Sequence, residues 1–286
     1  FHPKEDTHMI RQMVSSAQGL NVITAGDRSF TVVLTGQEEE PLKVQDAEGR
    51  EQELLFHEGG NYYTIKDHSN DYKKNGTVIA EPRLYKTVVT KDDIVYEAVR
   101  IVDHQFVYEK DKAWTIARVG EEYQIYNDFR KLDRLQDIPA AGFAGNQHFG
   151  DKRGYIWSRT LPLLKDYILT GSGPSTFTLV FPNHDYVGKM NMNYDGVTVT
   201  KPHNMYLQIW TQTGLLSLIA FLLLFGWYFV KSVRLYWNSP LETVPQKIGV
   251  AVMVALFGYM VTGIANDSTV AVAPVFWGML GFGMAV

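Results

Sequence analysis

Two arginines and one histidine in the second half of the chain are the residues whose types and spacing could do chemistry. Arg153 and Arg159 lie in the stretch DKRGYIWSRTLPLLKDY, and His203 follows within Lys201-Pro202-His203-Asn204. A guanidinium is planar and permanently charged, so it binds oxyanions through paired hydrogen bonds. An imidazole titrates close to neutral pH and can accept a proton from a hydroxyl group. These residue types could hold an anion and move a proton.

The same residues also have structural interpretations. Arginines beside an amphipathic segment often lay their stems along apolar surface and keep the charge in water. A single histidine is more commonly a satisfied structural residue, and this chain has eight histidines. His184, in Asn183-His184-Asp185, is the nearest competitor of His203. Pattern alone leaves both interpretations open.

The element that must position the arginines is an amphipathic segment at 151–173. Its apolar residues recur at helical spacing, and such a helix is suited to lie at a membrane surface. Pro162 interrupts the pattern, so we expect a kink or a later start. Gly171-Ser172-Gly173-Pro174 ends the segment with permissive backbone. The residues that share its apolar face are Ile156, Trp157, Thr160, Leu161, Leu164 and Ile168.

The charge distribution divides the chain into a highly charged part up to Asn204 and an almost uncharged part after it. The 286 residues include 27 basic and 31 acidic side chains, for a net charge of −4, which argues against nucleic-acid binding. The absence of cysteine excludes disulfides and thiolate metal sites. After Asn204 the only charged residues are Lys231, Arg234, Glu242, Lys247 and Asp267.

Three uncharged runs follow, at about 205–230, 248–266 and 268–286, and each is predicted to be a transmembrane helix. The three cations lie between the first two runs. The positive-inside rule therefore places residues 1–204 and the Asn266-Asp267 turn outside the cell. The alternative is that these runs are core helices of a large soluble protein. Because the chain starts at Phe1 and ends within an apolar run, we expect a piece of a larger polytopic protein with further helices upstream.

The N-terminal part is predicted to be an all-β, sandwich-like module over residues 20–130, after a connecting segment at 1–19. Short β-branched and aromatic runs recur at 29–34, 62–65, 85–89, 94–102 and 114–119. Turn signals separate them at Gly26-Asp27, Glu48-Gly49, Gly59-Gly60, Asn75-Gly76 and Lys91-Asp92. The fold class is thus a multi-domain membrane protein, in which this module and a loop at 131–204 precede helical residues 205–286. A plain extracellular insertion and a carbohydrate-binding module are both open interpretations.

The combined motifs resemble the O-antigen ligase and O-antigen polymerase superfamily. They are Arg153-Gly-Tyr-Ile-Trp157, Gly171-Ser-Gly173, and His203-Asn204 followed by nine residues and Gly214. The C-terminal region of that family has an arginine-bearing outer loop, and a histidine, a small polar residue, nine residues and a glycine. The resemblance covers about 151–286, not the β module. It is strongest to Gram-positive members with a soluble insertion, and it implies a GT-C-like helical region.

The resemblance implies glycosyl transfer on the outer membrane face, in cell-surface polysaccharide biosynthesis. The donor would be a glycan on a polyprenyl diphosphate, and the acceptor a hydroxyl on a glycan or lipid. Arg153, then Arg159, would hold the diphosphate, and His203 would be the base. Asn204 would orient His203 or bind a sugar, and Trp157 and Lys201 would complete the substrate-binding set. No metal, no other cofactor and no nucleic acid is expected.

The family usually has a further arginine in an earlier outer loop, and that loop lies outside this sequence. If that loop is needed for diphosphate binding, the present piece alone should be inactive. The sequence does not distinguish a ligase from a polymerase, since the two share this loop chemistry and differ in the acceptor.

Two other functions remain open. A membrane-anchored glycoside hydrolase would need two placed carboxylates, for which Asp185 and Asp195 are candidates without a supporting pattern. A membrane-anchored sensor or carbohydrate-binding protein would need no base at the start of the first span.

Overall fold

The computed structural model describes residues 9–24, 28–66, 73–74, 77–78, 82–105 and 110–285. The predicted turns at Gly26-Asp27 and Asn75-Gly76 lie outside these residues. The chain forms two compact units. The first comprises residues 1–139 and 183–198, and the second comprises 140–182 and 199–286.

The first unit contains two antiparallel sheets and a two-stranded ribbon. The five-stranded sheet follows chain order: β1 (Ile10–Ser16), β2 (Gly19–Thr24), β3 (Ser29–Leu34), β4 (Leu42–Asp46) and β5 (Glu51–Gln52). The seven-stranded sheet has the spatial order β14 (Leu132–Arg134), β13 (Glu122–Tyr126), β12 (Lys110–Val119), β11 (Ile94–Gln105), β10 (Arg83–Lys91), β7 (Tyr62–Ile65) and β6 (Leu54–His57). The ribbon pairs β8 (Lys73–Lys74) with β9 (Thr77–Val78).

The two sheets share one hydrophobic core. Alternate residues of β3 are buried, as a strand with one covered face requires. Hydrogen bonds also join the two sheets. The backbone amide of Leu34, in β3, donates to the hydroxyl of Tyr123, in β13, at 3.0 Å. The Tyr123 amide in turn donates to Ser15 Oγ at 2.8 Å. The hairpin between β10 and β11 turns at Asp92 and Asp93, both with positive φ, which suits the twist of paired strands.

The first unit is larger than the predicted β module at both ends. Strand β1 starts at Ile10, within the predicted connecting segment, because Ile10 and Met13 enter the core. Residues 183–198, which were expected in the loop at 131–204, also lie in this unit. They contain the short helix α3 (Tyr186–Asn191), whose Val187 is buried in the same core. The Asn191 amide donates to the Ile10 carbonyl at 2.8 Å, which joins α3 to β1.

The second unit is helical. Its helices are α1 (Phe149–Thr160), α2 (Phe177–Val180), α4 (Met205–Thr213), α5 (Leu215–Tyr236), α6 (Val244–Thr262) and α7 (Ala273–Ala285). Short 3-10 helices occupy Phe143–Gly145 and Leu161–Tyr167. The second of these follows α1 directly and carries Pro162 near its start, so the proline falls where the helix type changes.

The first predicted span is two helices, because the chain breaks at Gly214. This residue has φ +95°, and a Cβ there would approach the Leu169 carbonyl oxygen to 2.8 Å. Only glycine adopts such a backbone without strain. Helix α5 then runs to Tyr236 and includes Lys231 and Arg234, beyond the predicted end at 230.

Within the part of the chain that the structure describes, two helices, α5 and α6, are long and apolar enough to cross a membrane. Only 28% and 22% of their most apolar windows are buried within the chain, which differs from the core helices of a soluble protein. Helix α7 has 13 residues and is shorter. Aromatic and aliphatic side chains of α4 to α7 form a second core, which includes Phe221, Phe225, Leu256 and Phe276.

Candidate functional site

The turn that follows α6, residues 264–267, receives side chains from two other parts of the second unit. The side-chain amide of Asn204 donates from Nδ2 to the Ile264 carbonyl at 2.8 Å, and Arg153 Nε donates to the Ala265 carbonyl at 3.0 Å. His203 Nδ1 lies 3.1 Å from Asp267 Oδ2. Arg153 and His203 therefore contact residues only two positions apart, although 50 residues separate them in sequence.

The pair of His203 and Asp267 has the geometry of an oriented base. A carboxylate oxygen only accepts hydrogen bonds, so Nδ1 of the neutral ring carries the proton that Asp267 receives. Nε2 is then unprotonated and can accept a proton from a substrate. The Asp267 side chain is 5% exposed and the His203 side chain 47% exposed, so the carboxylate is buried while the imidazole reaches the surface.

The backbone of His203 is held in an uncommon conformation. Its φ is +51°, in the left-handed region that non-glycine residues seldom occupy. The following amide, that of Asn204, donates to Asp267 Oδ1 at 3.3 Å. Asp267 thus binds both the imidazole of His203 and the backbone beside it. Such conformations concentrate at functional sites, where neighbouring contacts maintain them.

Arg153 begins the regular part of α1. The three preceding residues, Gly150, Asp151 and Lys152, have positive φ, so the chain makes a left-handed turn before the helix. Arg153 Nη1 donates to the Gly150 carbonyl at 2.7 Å and closes that turn. The guanidinium is therefore fixed by two backbone carbonyls. Among the residues that the structure describes, its second terminal nitrogen has no partner.

Trp157 lies one helical turn after Arg153, on the same side of α1. Its indole nitrogen donates to the Pro202 carbonyl at 2.8 Å, next to His203. The ring is 8% exposed and lies against Phe143 and Phe149, with centroid distances of 5.2 and 6.0 Å. These contacts position the segment that carries His203.

Asn204 is the N-cap of α4. Its Oδ1 accepts the Leu207 amide at 2.9 Å, while Nδ2 is bound to the Ile264 carbonyl. The nine residues between Asn204 and Gly214 are the helix α4 itself. The spacing noted in the sequence is therefore the length of a short helix with an amide cap at one end and a positive-φ glycine at the other.

The segment Gly171-Ser172-Gly173 covers the C-terminal end of α4. The Ser172 amide donates to the Thr211 carbonyl at 2.9 Å, and the Gly173 amide to the Gln212 carbonyl at 3.0 Å. These carbonyls have no partner within the helix. A Cβ on Gly171 would lie 2.0 Å from the Gln212 carbonyl carbon, so only glycine allows this approach.

Arg159 and Lys201 are placed differently from Arg153. Arg159 is 5% exposed, its Nη1 donates to Ser158 Oγ at 3.0 Å, and its guanidinium lies 4.8 Å from the centre of the Tyr155 ring. Six residues along an α-helix turn the side chain to another face, which explains why the two arginines separate. Lys201 is exposed, two residues before His203.

The other candidates from the sequence lie in the first unit. Asp185 is 7% exposed and caps α3, where its Oδ1 accepts the Gly188 amide at 2.9 Å. Asp195 is exposed, and His184 is half-buried in the same segment. No group of three or more His, Cys, Asp or Glu side chains able to hold a metal ion occurs within the described residues.

Asp267 is the site residue that sequence reasoning missed. One signal was present, since Asp267 and Glu242 are the only acidic residues after position 204. A lone carboxylate between apolar runs needs a partner when it is buried. Its pairing with His203 depends on the turn after α6, which sequence periodicity does not determine.

Residues 118–222 match the model of a protein family described as O-Antigen ligase. The matched segment contains Arg153, Trp157, His203 and Gly214, and it confirms the resemblance drawn from the motifs. Its bounds differ from the expected 151–286, because the match begins at the end of β12 in the β unit and ends within α5. No curated protein and no solved structure matches the chain.

Proposed function

We propose that this membrane chain transfers a glycan from a polyprenyl diphosphate to an acceptor hydroxyl, with His203 as base and Arg153 at the diphosphate. The observation that carries the proposal is the convergence of Arg153 and His203, both in the segment that matches the O-antigen ligase family, on the turn 264–267, which carries Asp267 and lies outside that segment. The family match supports a ligase or polymerase role in general. The substrates and the residue roles are our inference.

The proton is taken up by Nε2 of His203. As the acceptor oxygen bonds to the anomeric carbon of the donor sugar, its proton moves to Nε2. Asp267 holds the opposite nitrogen and stabilises the imidazolium that forms, since its buried carboxylate lies 3.1 Å away. A base of this kind typically contributes about 10²–10⁴-fold in rate.

The diphosphate departs with the electron pair of the bond that breaks at the anomeric carbon. Negative charge builds up on the departing oxygen, and a fixed cation stabilises it most when no reorganisation is needed. Arg153 fits this role because two backbone carbonyls already hold its guanidinium. Its unpartnered terminal nitrogen is the atom that would contact the diphosphate.

The reaction is assigned to the outer membrane face. Lys231 and Arg234 lie near the end of α5, and Lys247 lies in the first turn of α6. The positive-inside rule supports a cytoplasmic position for this connection. The turn 264–267 follows the opposite end of α6 and would then face outward. We also propose that the β module is a sandwich-like domain on the outer side and that the helical region has a GT-C-like fold.

The test is a product analysis with a purified polyprenyl-diphosphate-linked oligosaccharide as donor. A transferase releases polyprenyl diphosphate and extends the acceptor in equal amounts, whereas a hydrolase releases the free sugar. A sensor consumes no donor. The proposal is overturned if the full-length protein in nanodiscs yields free sugar, or leaves the donor intact while the same membranes sustain polymer synthesis in cells.

A further inference from the structure

One face of the seven-stranded sheet carries a row of side chains that crosses all its strands and is mostly aromatic or cationic. Residues directly opposite one another in antiparallel strands point to the same face. His57 is opposite Tyr62, Tyr85 is opposite Arg100, and Arg100 is opposite Thr115. The register of the remaining pairs completes the row as His57, Tyr62, Tyr85, Arg100, Thr115, Tyr126 and Leu132.

This row lies on the face opposite the core. The adjacent row, with Leu84, Ile101 and Trp114, is buried between the sheets. By contrast, Tyr62, Tyr85 and Tyr126 are half-buried and Arg100 is exposed. The rings follow one another closely, because the centroids of His57 and Tyr62 are 4.6 Å apart and those of Tyr62 and Tyr85 are 5.6 Å apart.

A cavity of about 340 Å³ adjoins the row. Arg100, Thr115 and Tyr126 belong to both the row and the cavity wall. This volume lies within the range of small-molecule sites, and the wall combines aromatic rings with a few polar groups, as such sites do. The cavity wall also includes Trp114, Ile125, Tyr186 and Met190, which belong to the core or pack against it, so the cavity lies where the row meets the edge of the core.

The charges of the row and the cavity favour an anionic occupant. Arg100, Arg130 and Lys189 line the cavity, against the carboxylates of Asp128 and Asp195. Along the row, Arg83 stacks on Tyr62, with its guanidinium 5.4 Å from the ring centre. Neither Arg83 nor Arg100 has a carboxylate partner among the residues that the structure describes. Two exposed guanidinium groups are thus available for paired hydrogen bonds to an oxyanion.

We propose that this track, defined as the row together with the cavity that adjoins it, binds an acidic glycan chain. The rings of Tyr62, Tyr85 and Tyr126 would support the apolar faces of successive sugar rings. Arg83 and Arg100 would bind the carboxylates of its uronic acid units. A polysaccharide is an extended ligand, which fits a row that crosses all the strands of a sheet. This role is separate from the transfer chemistry and does not depend on it.

The test measures binding of the full-length protein in nanodiscs to hyaluronan and alginate, with dextran as the neutral comparison. We expect binding to at least one uronate polymer and none to dextran. Arg100→Ala and Tyr85→Ala should each weaken binding about tenfold or more, because each removes a principal contact. Tyr85→Phe keeps the ring and should retain most of the affinity.

Lys86→Ala is the matched control, since Lys86 is an exposed cation on the same strand but belongs to the opposite face. It should leave binding unchanged. Absence of binding to both uronate polymers, equal binding of dextran, or an equal effect of Lys86→Ala would overturn the proposal. Tighter binding of an oligothymidylate would also overturn it and assign the track to single-stranded nucleic acid. Donor turnover measured on the same samples separates this result from that of the proposed transfer.

Discussion

Oδ2 of Asp267 lies 3.1 Å from Nδ1 of His203, and the same carboxylate accepts the Asn204 amide. This relationship joins the turn after α6 to the residue that immediately precedes α4. It fixes the ring nitrogen that carries the proton and leaves the other nitrogen for a substrate. The transfer chemistry that we propose depends on this orientation more than on the histidine alone.

Asp267→Asn should lower kcat with little change in KM for the donor. The amide has the same shape, but its NH2 group favours the tautomer with the proton on the wrong imidazole nitrogen, so a loss on the order of 10²-fold or more is expected. Steady-state transfer kinetics provide the measurement. Asn266→Ala, in the same turn, should change the rate far less. Equal kcat in Asp267→Asn and the native protein would remove the orienting role.

Arg153→Lys should impair transfer although the charge is retained. Lysine provides a point charge without the planar fork, and it cannot reproduce the bonds to both Gly150 and Ala265. We expect kcat/KM to fall about tenfold or more, because this is the fold-change that corresponds to the free energy of one charge-assisted hydrogen bond. Lys165→Ala serves as a control cation on the neighbouring 3-10 helix. Full activity in both Arg153→Lys and Arg153→Ala would leave Arg153 only a surface-anchoring role.

Gly214→Ala should destabilise the second unit. The substitution forces an L-residue to φ +95° and brings its Cβ to 2.8 Å from the Leu169 carbonyl oxygen. Strain of this kind costs about 1–3 kcal/mol, so the melting temperature in detergent should fall. Gly226→Ala is the matched control within α5, because a Cβ there meets nothing within 4 Å. It should be neutral or slightly stabilising, since alanine is the better helix former.

The raised pKa of Tyr186 predicts how the stability of the first unit changes at alkaline pH. Burial, reinforced by the hydrogen bond to Asp133, raises the pKa of Tyr186 from 10.0 to about 12. The folded state therefore holds this proton more tightly than the unfolded state. The resulting stabilisation is complete below about pH 10 and is lost as the pH rises through about 12.

The measurement is the melting temperature of Tyr186→Phe and of the native protein from pH 9 to pH 12, a window set by the two pKa values. The variant should lose less stability over this window, because it lacks the titrating hydroxyl. Tyr96→Phe controls for the loss of a tyrosine elsewhere in the unit. Parallel curves for Tyr186→Phe and the native protein would contradict the assignment.

Local patterns in the sequence were sufficient to predict much of the strand structure of the β unit. The strands at 29–34 and 62–65 have the predicted bounds, because β-branched and aromatic residues alternate there between turn signals. Strand β1 was not predicted, since IRQMVSS mixes polar and apolar residues and is stabilised by distant partners. One such partner is Asp103, whose carboxylate accepts the Ile10 amide at 3.0 Å.

The candidate site shows the same division. His203 and Gly214 were recognised because a fixed spacing joins them, and that spacing is the helix α4. Arg153 was recognised from a separate motif, Arg153-Gly-Tyr-Ile-Trp157. Asp267 belongs to no local pattern, and its contact with His203 arises only when α6 returns the chain to the start of α4. Arg159 resembles Arg153 in the sequence, but the pitch of α1 turns it inward against Tyr155.

The most direct test of the central claim is the transfer rate of His203→Ala in the full-length protein, with a polyprenyl-diphosphate-linked donor at saturating concentration. Loss of the base predicts a fall in kcat of about 10²–10⁴-fold. Expression and donor binding should change little, because the imidazole is at the surface, while the melting temperature measures what Asp267 loses with its imidazole partner. His184→Ala, in the first unit, should retain the native rate. A native rate in His203→Ala would make His203 a structural residue, and the proposed base catalysis would be wrong.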